Sequence, residues 1–413
     1  MNTSVKTDKS INHQPVKAAS RIKEIDIVRG FALFGVLLVN VVYFSSITLE
    51  SLTGGVTPLS NPLMLTSSLD RIFAIIIQLF GEGKFYTIFS FLFGLGFYIF
   101  IQRAEEKGLS AKHLFKRRLF ILLIFGLLNL FLVWYGDILH AYALGGFILL
   151  GFRNKSIKHI KRWIIILLII STVIATLMTA SPIAIDTHFH YESYFSYNEG
   201  VTNSFNIYGS GTYFEIIKYR AVNEIPYVLI YLLFVIPKTL AMFLLGMICG
   251  KLNIFNKLDE SDTFIKKGWK ITGAVGLSTT IICIIFGYFY LPSLMVSSLV
   301  FGLFYEVGTV FLSLFYITSL LLLMKREVYS KILSPLQSVG RMALTNYLVQ
   351  CILCSLIFYG HGLGLIGRIG IFEGVVFTLA LFNLQIVTSN IWFKYYHFGP
   401  FEWVWRKLTY ASS

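Results

Sequence analysis

The plainest chemistry in this chain lies in the segment WYGDILHAY, where Asp137 and His140 stand one helical turn apart. At that spacing a carboxylate can hold and polarise an imidazole for general-base work. The same spacing fits an Asp that caps a helix and is followed by an interfacial His, and the sequence leaves both readings open. Asn129 precedes them closely. The segment IDIVRGFALFGVLLVN carries Asp26 and Arg29, again one turn apart and able to pair. Asn40 follows on the same stripe, three turns on and about 16 Å away in depth. In GEGKFYTIFSFLFGLGF, Glu82 and Lys84 flank Gly83 where a helix begins. A lysine there opposes the macrodipole, so it either snorkels outward or forms a cationic site. GRMALTNYLVQ offers Arg341, Thr345, and then Asn346 and Gln350 on one helix face. FGPFEWVWRKLTY adds Glu402 and Arg406, which can pair, beside Trp403 and Trp405 of interfacial character.

Such groups need apolar elements to hold them, and the composition supplies these. The chain has 413 residues, of which 56% are hydrophobic and 14% charged; a soluble protein carries roughly 25% charged residues. Runs of about 20 apolar residues cross a bilayer. The expected spans are Ile25–Ile47, Lys84–Gln102, Leu119–Trp134, Ile138–Phe152, Trp163–Ser181, Pro226–Gly250, Ile271–Tyr290, Ser298–Met324, Ala343–Tyr359 and Ile371–Phe393. This is an all-α, polytopic membrane bundle of about ten transmembrane helices. Lys and Arg cluster in every second loop, for example Arg103 to Arg118, Arg153 to Arg162 and Lys251 to Lys267, and near both ends of the chain. Basic segments stay on the cytoplasmic side, so both termini are expected there, in a bacterial cytoplasmic membrane. The net charge of +14 is then explained by topology and anionic headgroups, and no nucleic-acid partner is expected.

The expected organisation is a disordered cytoplasmic arm over 1–23, helices over 24–182, an extracytoplasmic aromatic-rich loop over 183–223, and a C-terminal membrane region over 224–413. The stretch Ile72 to Phe80 is too short to span and is expected along the interface. Cys249, Cys283, Cys351 and Cys354 all sit in apolar runs and read as packing residues without disulfides. His188 and His190 lack a fixed third ligand, so no metal is expected. The polar residues form an inner group of Asp26, Arg29, Arg341, Glu402 and Arg406. An outer group holds Glu82, Lys84, Asn129, Asp137 and His140. Asn40, Asn346 and Gln350 are placed to line a polar route between them.

The motifs IDIVRGFALFGVLLVN, EGKFYTIFSFLFGLGF, the Arg117–Arg118 pair, GDIL with Tyr142, GRMALTNYL and GPFEWVWR resemble the YeiB family, built on domain of unknown function 418, over nearly the whole chain. The front part is also similar to the acyltransferase-3 enzymes and heparan-alpha-glucosaminide N-acetyltransferase. That resemblance implies acyl transfer from cytoplasmic acyl-CoA to an acceptor beyond the membrane. Asp26, Arg29 and Asn40 match their first-span pattern, except that Asn40 stands where acyltransferase-3 enzymes carry His. An amide is no general base, which leaves His140 for that role.

The expected reading is therefore a membrane acyltransferase-like protein. Arg29, Arg117, Arg118 and Arg341 hold the phosphates of acyl-CoA. Asn40, Asn346 and Gln350 line the acyl route. His140, oriented by Asp137, accepts the acceptor's proton, and Lys84 or Asn129 steadies the oxyanion. Expected partners are membrane lipids and a small-molecule or glycan acceptor, and a homodimer is compatible with the sequence. The alternatives are a transporter or exporter of a small polar or amphipathic solute, with the same groups as its binding site, and a sensor or scaffold without turnover.

Overall fold

The computed structural model describes residues 22–46, 65–186, 192–255, 260–288 and 294–410. Among these residues every regular element is helical. In chain order they are α1 (Lys23–Ser46), α2 (Ser68–Ile76), α3 (Lys84–Glu106), α4 (Ala111–Leu128), α5 (Leu139–Leu149), α6 (Ile157–Asp186), α7 (Glu192–Ser210), α8 (Tyr213–Tyr219), α9 (Ile225–Lys251), α10 (Asp262–Tyr288), α11 (Leu294–Met324), α12 (Glu327–Leu333), α13 (Pro335–Arg341), α14 (Ala343–Phe358), α15 (Ile371–Tyr395) and α16 (Pro400–Tyr410).

Seven helical runs among the described residues are long and apolar enough to cross a membrane, or eight if α13 and α14, bent by 83°, count as one. The expected spans Leu119–Trp134 and Ile138–Phe152 fall outside that set. The first is α4 with its C-terminal extension, whose opening turns carry Lys112, Lys116, Arg117 and Arg118. The second is the short α5, which ends in a 3-10 turn. The expected loop over 183–223 contains α7 and α8. A reciprocal Thr212–Glu215 capping box starts α8, supplying the orphan N–H groups of its first turn with acceptors. His188 and His190 lie outside the described residues.

Glycines set the closest helix crossings. A Cβ on Gly94 of α3 would run into the Phe243 carbonyl of α9, and one on Gly246 of α9 into the Phe91 carbonyl of α3. The two backbones therefore touch, as small residues allow inside membranes. Gly30 of α1 and Gly340 of α13 meet the carbonyls of Leu336 and Asp26 in the same way. With those crossings fixed, α1 packs against α3, α13, α14 and α15.

Three wide π-turns, Ile77–Gly81, Asn129–Val133 and Arg220–Glu224, interrupt the helices at the ends opposite the basic loops. A π-turn loosens the regular ladder and recurs at functional sites. Side chains from other elements bond several of the carbonyls. Tyr305 donates to Gln78 O at 3.2 Å, Tyr316 to Phe80 O at 3.0 Å, Arg220 to Phe131 O at 3.1 Å and Tyr213 to Leu132 O at 3.0 Å.

Candidate functional site

A cavity of about 720 Å³ opens between α1, α3, α4, α5, α14 and α16. One end gathers cations: Arg29, Arg103, Lys107, Arg118, Arg341, Arg406 and Lys407 all line it, against Glu402 as the single lining acid. The middle is aromatic and aliphatic, with Phe89, Phe93, Phe97, Leu119 and Leu122. The far end reaches Asn40, Gly81, Gly83 and Tyr86. The volume falls within the range of small-molecule sites, roughly 300–1,000 Å³. Its chemistry suits a ligand with an anionic head and an apolar body.

The cations are placed by specific contacts. Arg29 pairs with Asp26 at 2.8 Å and donates to the Gly340 carbonyl at 3.2 Å. Arg118 stacks on Trp405 with its guanidinium 3.8 Å from the ring centroid, and the Trp405 indole donates to Arg118 O at 2.9 Å. Arg341 stacks on Phe393 at 3.8 Å. Arg406 stacks on Phe398 at 4.3 Å. Aromatic faces hold guanidinium groups without neutralising them.

Glu402 has a structural task at the break between α13 and α14. Its Oε1 accepts from the backbone N–H of Leu344 at 2.8 Å and of Thr345 at 3.1 Å, and its Oε2 accepts from the Thr345 hydroxyl. These are the orphan donors created where α13 breaks into α14. The carboxylate thus fastens α16 to the start of α14. Burial raises the Glu402 carboxyl above its ordinary value, against the opposing pull of these bonds.

Asp137, His140 and Asn129 come together as a buried cluster. His140 Nδ1 lies 2.9 Å from Asp137 Oδ2, and the same oxygen accepts the His140 backbone N–H at 3.0 Å. The two readings of this spacing therefore coexist: Asp137 caps α5 and orients the imidazole. The other oxygen, Oδ1, accepts from Asn129 at 2.9 Å and from the Tyr347 hydroxyl at 3.3 Å. In a neutral imidazole whose Nδ1–H donates to this carboxylate, Nε2 is the acceptor. That Nε2 is buried with no hydrogen-bond partner among the described residues. His140 itself does not line the cavity, but Ile138, Leu139 and Tyr347 do.

Other expected residues lie elsewhere. Asn346 donates to Val339 O at 3.3 Å and to Ser389 at 3.1 Å, and Gln350 donates to Gln385 at 2.7 Å. Both tie α14 to neighbouring helices and neither lines the cavity. Arg117 is half-buried and also absent from the lining. Lys84 is buried outside it, with Nζ 3.1 Å from Gln78 O and 4.0 Å from the Tyr305 ring centroid. Sequence reasoning missed Arg103, Lys107 and Lys407 at the mouth and Tyr347 in the wall. It also missed a buried ion pair, Lys238 with Glu306 at 2.8 Å. A single cation in PYVLIYLLFVIPKTLAMFLLG and a single acid in SSLVFGLFYEVGTVFLSLFYI were the available signal.

Relatives match the chain over nearly its whole length. The chain is 33% identical over 415 residues to the uncharacterized protein YxaH of Bacillus subtilis (strain 168), covering 97% of this chain and 96% of that one. The chain belongs to the YeiB family. The family model described as "Protein of unknown function (DUF418)" matches residues 249–412. The uncharacterized protein YeiB of Escherichia coli (strain K12) is 25% identical over 413 residues, covering 94% of this chain and 96% of its own. An uncharacterized 39.9 kDa protein of Bacillus acidopullulyticus is 30% identical over 414 residues, covering 96% of each. No solved structure matches the chain. In this YeiB-family chain, the DUF418 region holds Arg341, Glu402 and Arg406, whereas Arg29, Arg118 and His140 precede it.

Proposed function

We propose that this YeiB-family protein is a membrane acyltransferase-like enzyme that accepts an acyl-CoA from the cytoplasmic side and passes the acyl group to an acceptor beyond the bilayer. The observation that carries the reading is one continuous cavity that joins a cationic mouth to an apolar corridor and has Tyr347 in its wall, which bonds the carboxylate that orients His140. The phosphates sit among Arg29, Arg118 and Arg341, and the acyl chain lies along the aromatic wall. His140 Nε2 takes the acceptor's hydroxyl proton; the new C–O bond forms as the thioester C–S bond breaks, and the thiolate leaves and is protonated. Asn129, which Asp137 already engages, is the nearer candidate to steady the oxyanion; Lys84 is held by Gln78 and Tyr305.

The topology proposed with it has ten crossings and both termini in the cytoplasm of a bacterial cell. It adds α4 with its π-turn and the short α5 to the seven long runs and the bent pair. The basic loops then share one side, as charge bias requires. The acceptor is a small molecule or glycan, and the surrounding lipids are the other partners.

A second reading is transport of an amphipathic anion, favoured by the 83° break between α13 and α14. Broken helices line substrate sites in many transporters. The test uses purified protein in vesicles loaded with palmitoyl-CoA and an external sugar acceptor. Acylated acceptor outside, lost in His140→Ala, supports the enzyme. Release of unaltered palmitoyl-CoA supports transport. Full activity in His140→Ala removes the base.

A further inference from the structure

Helix α3 carries an aromatic stripe with one gap. Tyr86, Phe89, Phe93, Gly96, Phe100 and Arg103 follow one another at alternating steps of three and four residues, and all line the cavity. That spacing keeps them on one helix face. The stripe runs from a tyrosine at the outer end, past aromatic rings, to a cation at the mouth, and within it Gly96 alone has no side chain.

Gly94 and Gly96 are near neighbours with different surroundings. Gly94 is buried, and a Cβ there would strike the Phe243 carbonyl of α9, so the helix crossing requires glycine. Gly96 is half-buried, and a Cβ there would meet no atom within 4 Å. Packing therefore gives no reason for glycine at this position, and a glycine inside a helix is destabilising relative to alanine. Among the described residues, Gly108 and Gly151 also face open space. Gly108 lies in a turn with positive φ, and Gly151 in the 3-10 turn after α5.

Aromatic rings flank the space in front of Gly96. Phe93 and Phe100, on either side along the stripe, both face Phe115 of α4, with ring centroids 6.4 and 5.5 Å apart. The Arg118 guanidinium lies 5.4 Å from the Phe100 centroid, so the cationic end begins one ring away. An apolar slot offers water few hydrogen-bond partners, and such spaces stay dry or take an apolar guest. Along the helix axis Gly96 is about 10 Å from Arg103 and about 15 Å from Tyr86. A tail whose anionic head rests among the mouth cations must pass Gly96 to reach the outer half of the cavity.

We infer that Gly96 sets which tails the cavity accepts: it keeps a slot open for the apolar tail of a single-chain amphiphile whose phosphate head the mouth cations hold. Charge complementarity selects the head, and the bare backbone at Gly96 selects the tail. A side chain at this position leaves room for a short tail and excludes a long one. The inference rests on the reading of the corridor as an acyl site and adds its selectivity.

The test measures binding of butyl phosphate and of dodecyl phosphate to the full-length protein in phosphatidylcholine nanodiscs, less the binding to empty nanodiscs. The wild type should bind dodecyl phosphate more tightly, since a buried methylene is worth about fourfold in affinity. Gly96→Leu should keep the affinity for butyl phosphate, lose at least about tenfold for dodecyl phosphate, and unfold on heating no earlier than the wild type. Gly96→Ala should show the same pattern with a smaller loss, and it carries the test if Gly96→Leu does not fold. A wild type indifferent to tail length, unchanged dodecyl phosphate binding in the variants, an equal loss for both phosphates, or early unfolding of both variants overturns the inference. So does wild-type selectivity that vanishes in phosphatidylglycerol nanodiscs, because the occupant would then be a membrane lipid. No thioester or acceptor is present in these measurements. Tail selectivity without any acylated acceptor in the vesicle assay would sink the enzyme alone, and acyl transfer with tail-indifferent Gly96 variants would sink this inference alone.

Discussion

Arg29 at the cavity mouth keeps 28% of its side chain exposed, whereas Lys238 at mid-span keeps 5%. Arg29 answers to a carboxylate and a backbone carbonyl beside open space, and Lys238 to one carboxylate and the Tyr86 side chain. The mouth can hold seven cations together because aromatic faces, carbonyls and solvent dilute their mutual repulsion. The mid-span pair is largely shut off from solvent, and a charge withdrawn from water keeps its desolvation cost whatever its partner does. Charge at the mouth is therefore shared among several partners and solvent, while charge at mid-span is held by few partners away from water.

The largest effect should come from separating the committed pair. Lys238→Met or Glu306→Leu alone leaves one buried charge unpaired and should lower stability by about 3–5 kcal/mol, whereas the double variant K238M/E306L should return close to the parent. Thermal unfolding in detergent checks this; equal losses in all three would mean that the pair is less dry than its exposure indicates. Next in size is the mouth. Arg341→Ala should leave the unfolding midpoint nearly unchanged and weaken palmitoyl-CoA binding about tenfold to a hundredfold, as expected for one charge-assisted bond of about 1.5–3 kcal/mol. Titration of the reconstituted protein would measure it, and a variant that unfolds instead of losing affinity would erase the contrast between the two regions.

Much of this contrast was visible in the chain before folding, though unevenly. Long apolar runs announced α1, α9, α11 and α15, because a helix in lipid must be apolar over its whole length. The Asp137–His140 contact was legible because three residues are one turn. The α13–α14 break was not, since Met342 carries no helix-breaking signal and the bend depends on Glu402 arriving from α16, 58 residues away in sequence. Asn346 and Gln350 were misread for a related reason: their helix face was identified, but not the element it meets, which is α15. Lys238 and Glu306, each a lone charge in an apolar run, escaped notice because the sequence does not show that their helices bring them into a 2.8 Å contact.

A smaller effect should mark the boundary between the cavity and the His140 cluster. Tyr347→Phe deletes one of two donors to Asp137 Oδ1, and Asn129 remains. The expected loss is about 1 kcal/mol, with the imidazole still held at Nδ1. Nuclear magnetic resonance of the labelled histidine should show an unchanged tautomer. A tautomer switch would mean that Tyr347, rather than Asp137 alone, fixes which nitrogen faces the acceptor.

The smallest effect is that of Glu402→Gln, at a partly buried acid on the cavity side that sits between the two extremes. Glu402→Ala removes the cap from α14 and should cost about 1–2 kcal/mol, whereas Glu402→Gln keeps an oxygen for both backbone donors and should cost little. The pH dependence separates burial from capping. Burial raises this carboxyl in the folded chain above the roughly 4.3 of an unperturbed Glu. Between those two values the native state binds more protons than the unfolded one, so this group's contribution to stability must fall as pH rises through that window and recover as pH drops. Glutamine cannot titrate, so the variant should lack this slope when unfolding midpoints are compared across acidic pH. If the wild type instead loses stability on acidification relative to Glu402→Gln, the bonds to Leu344 and Thr345 outweigh desolvation, and Glu402 belongs with the exposed, well-partnered charges of the mouth.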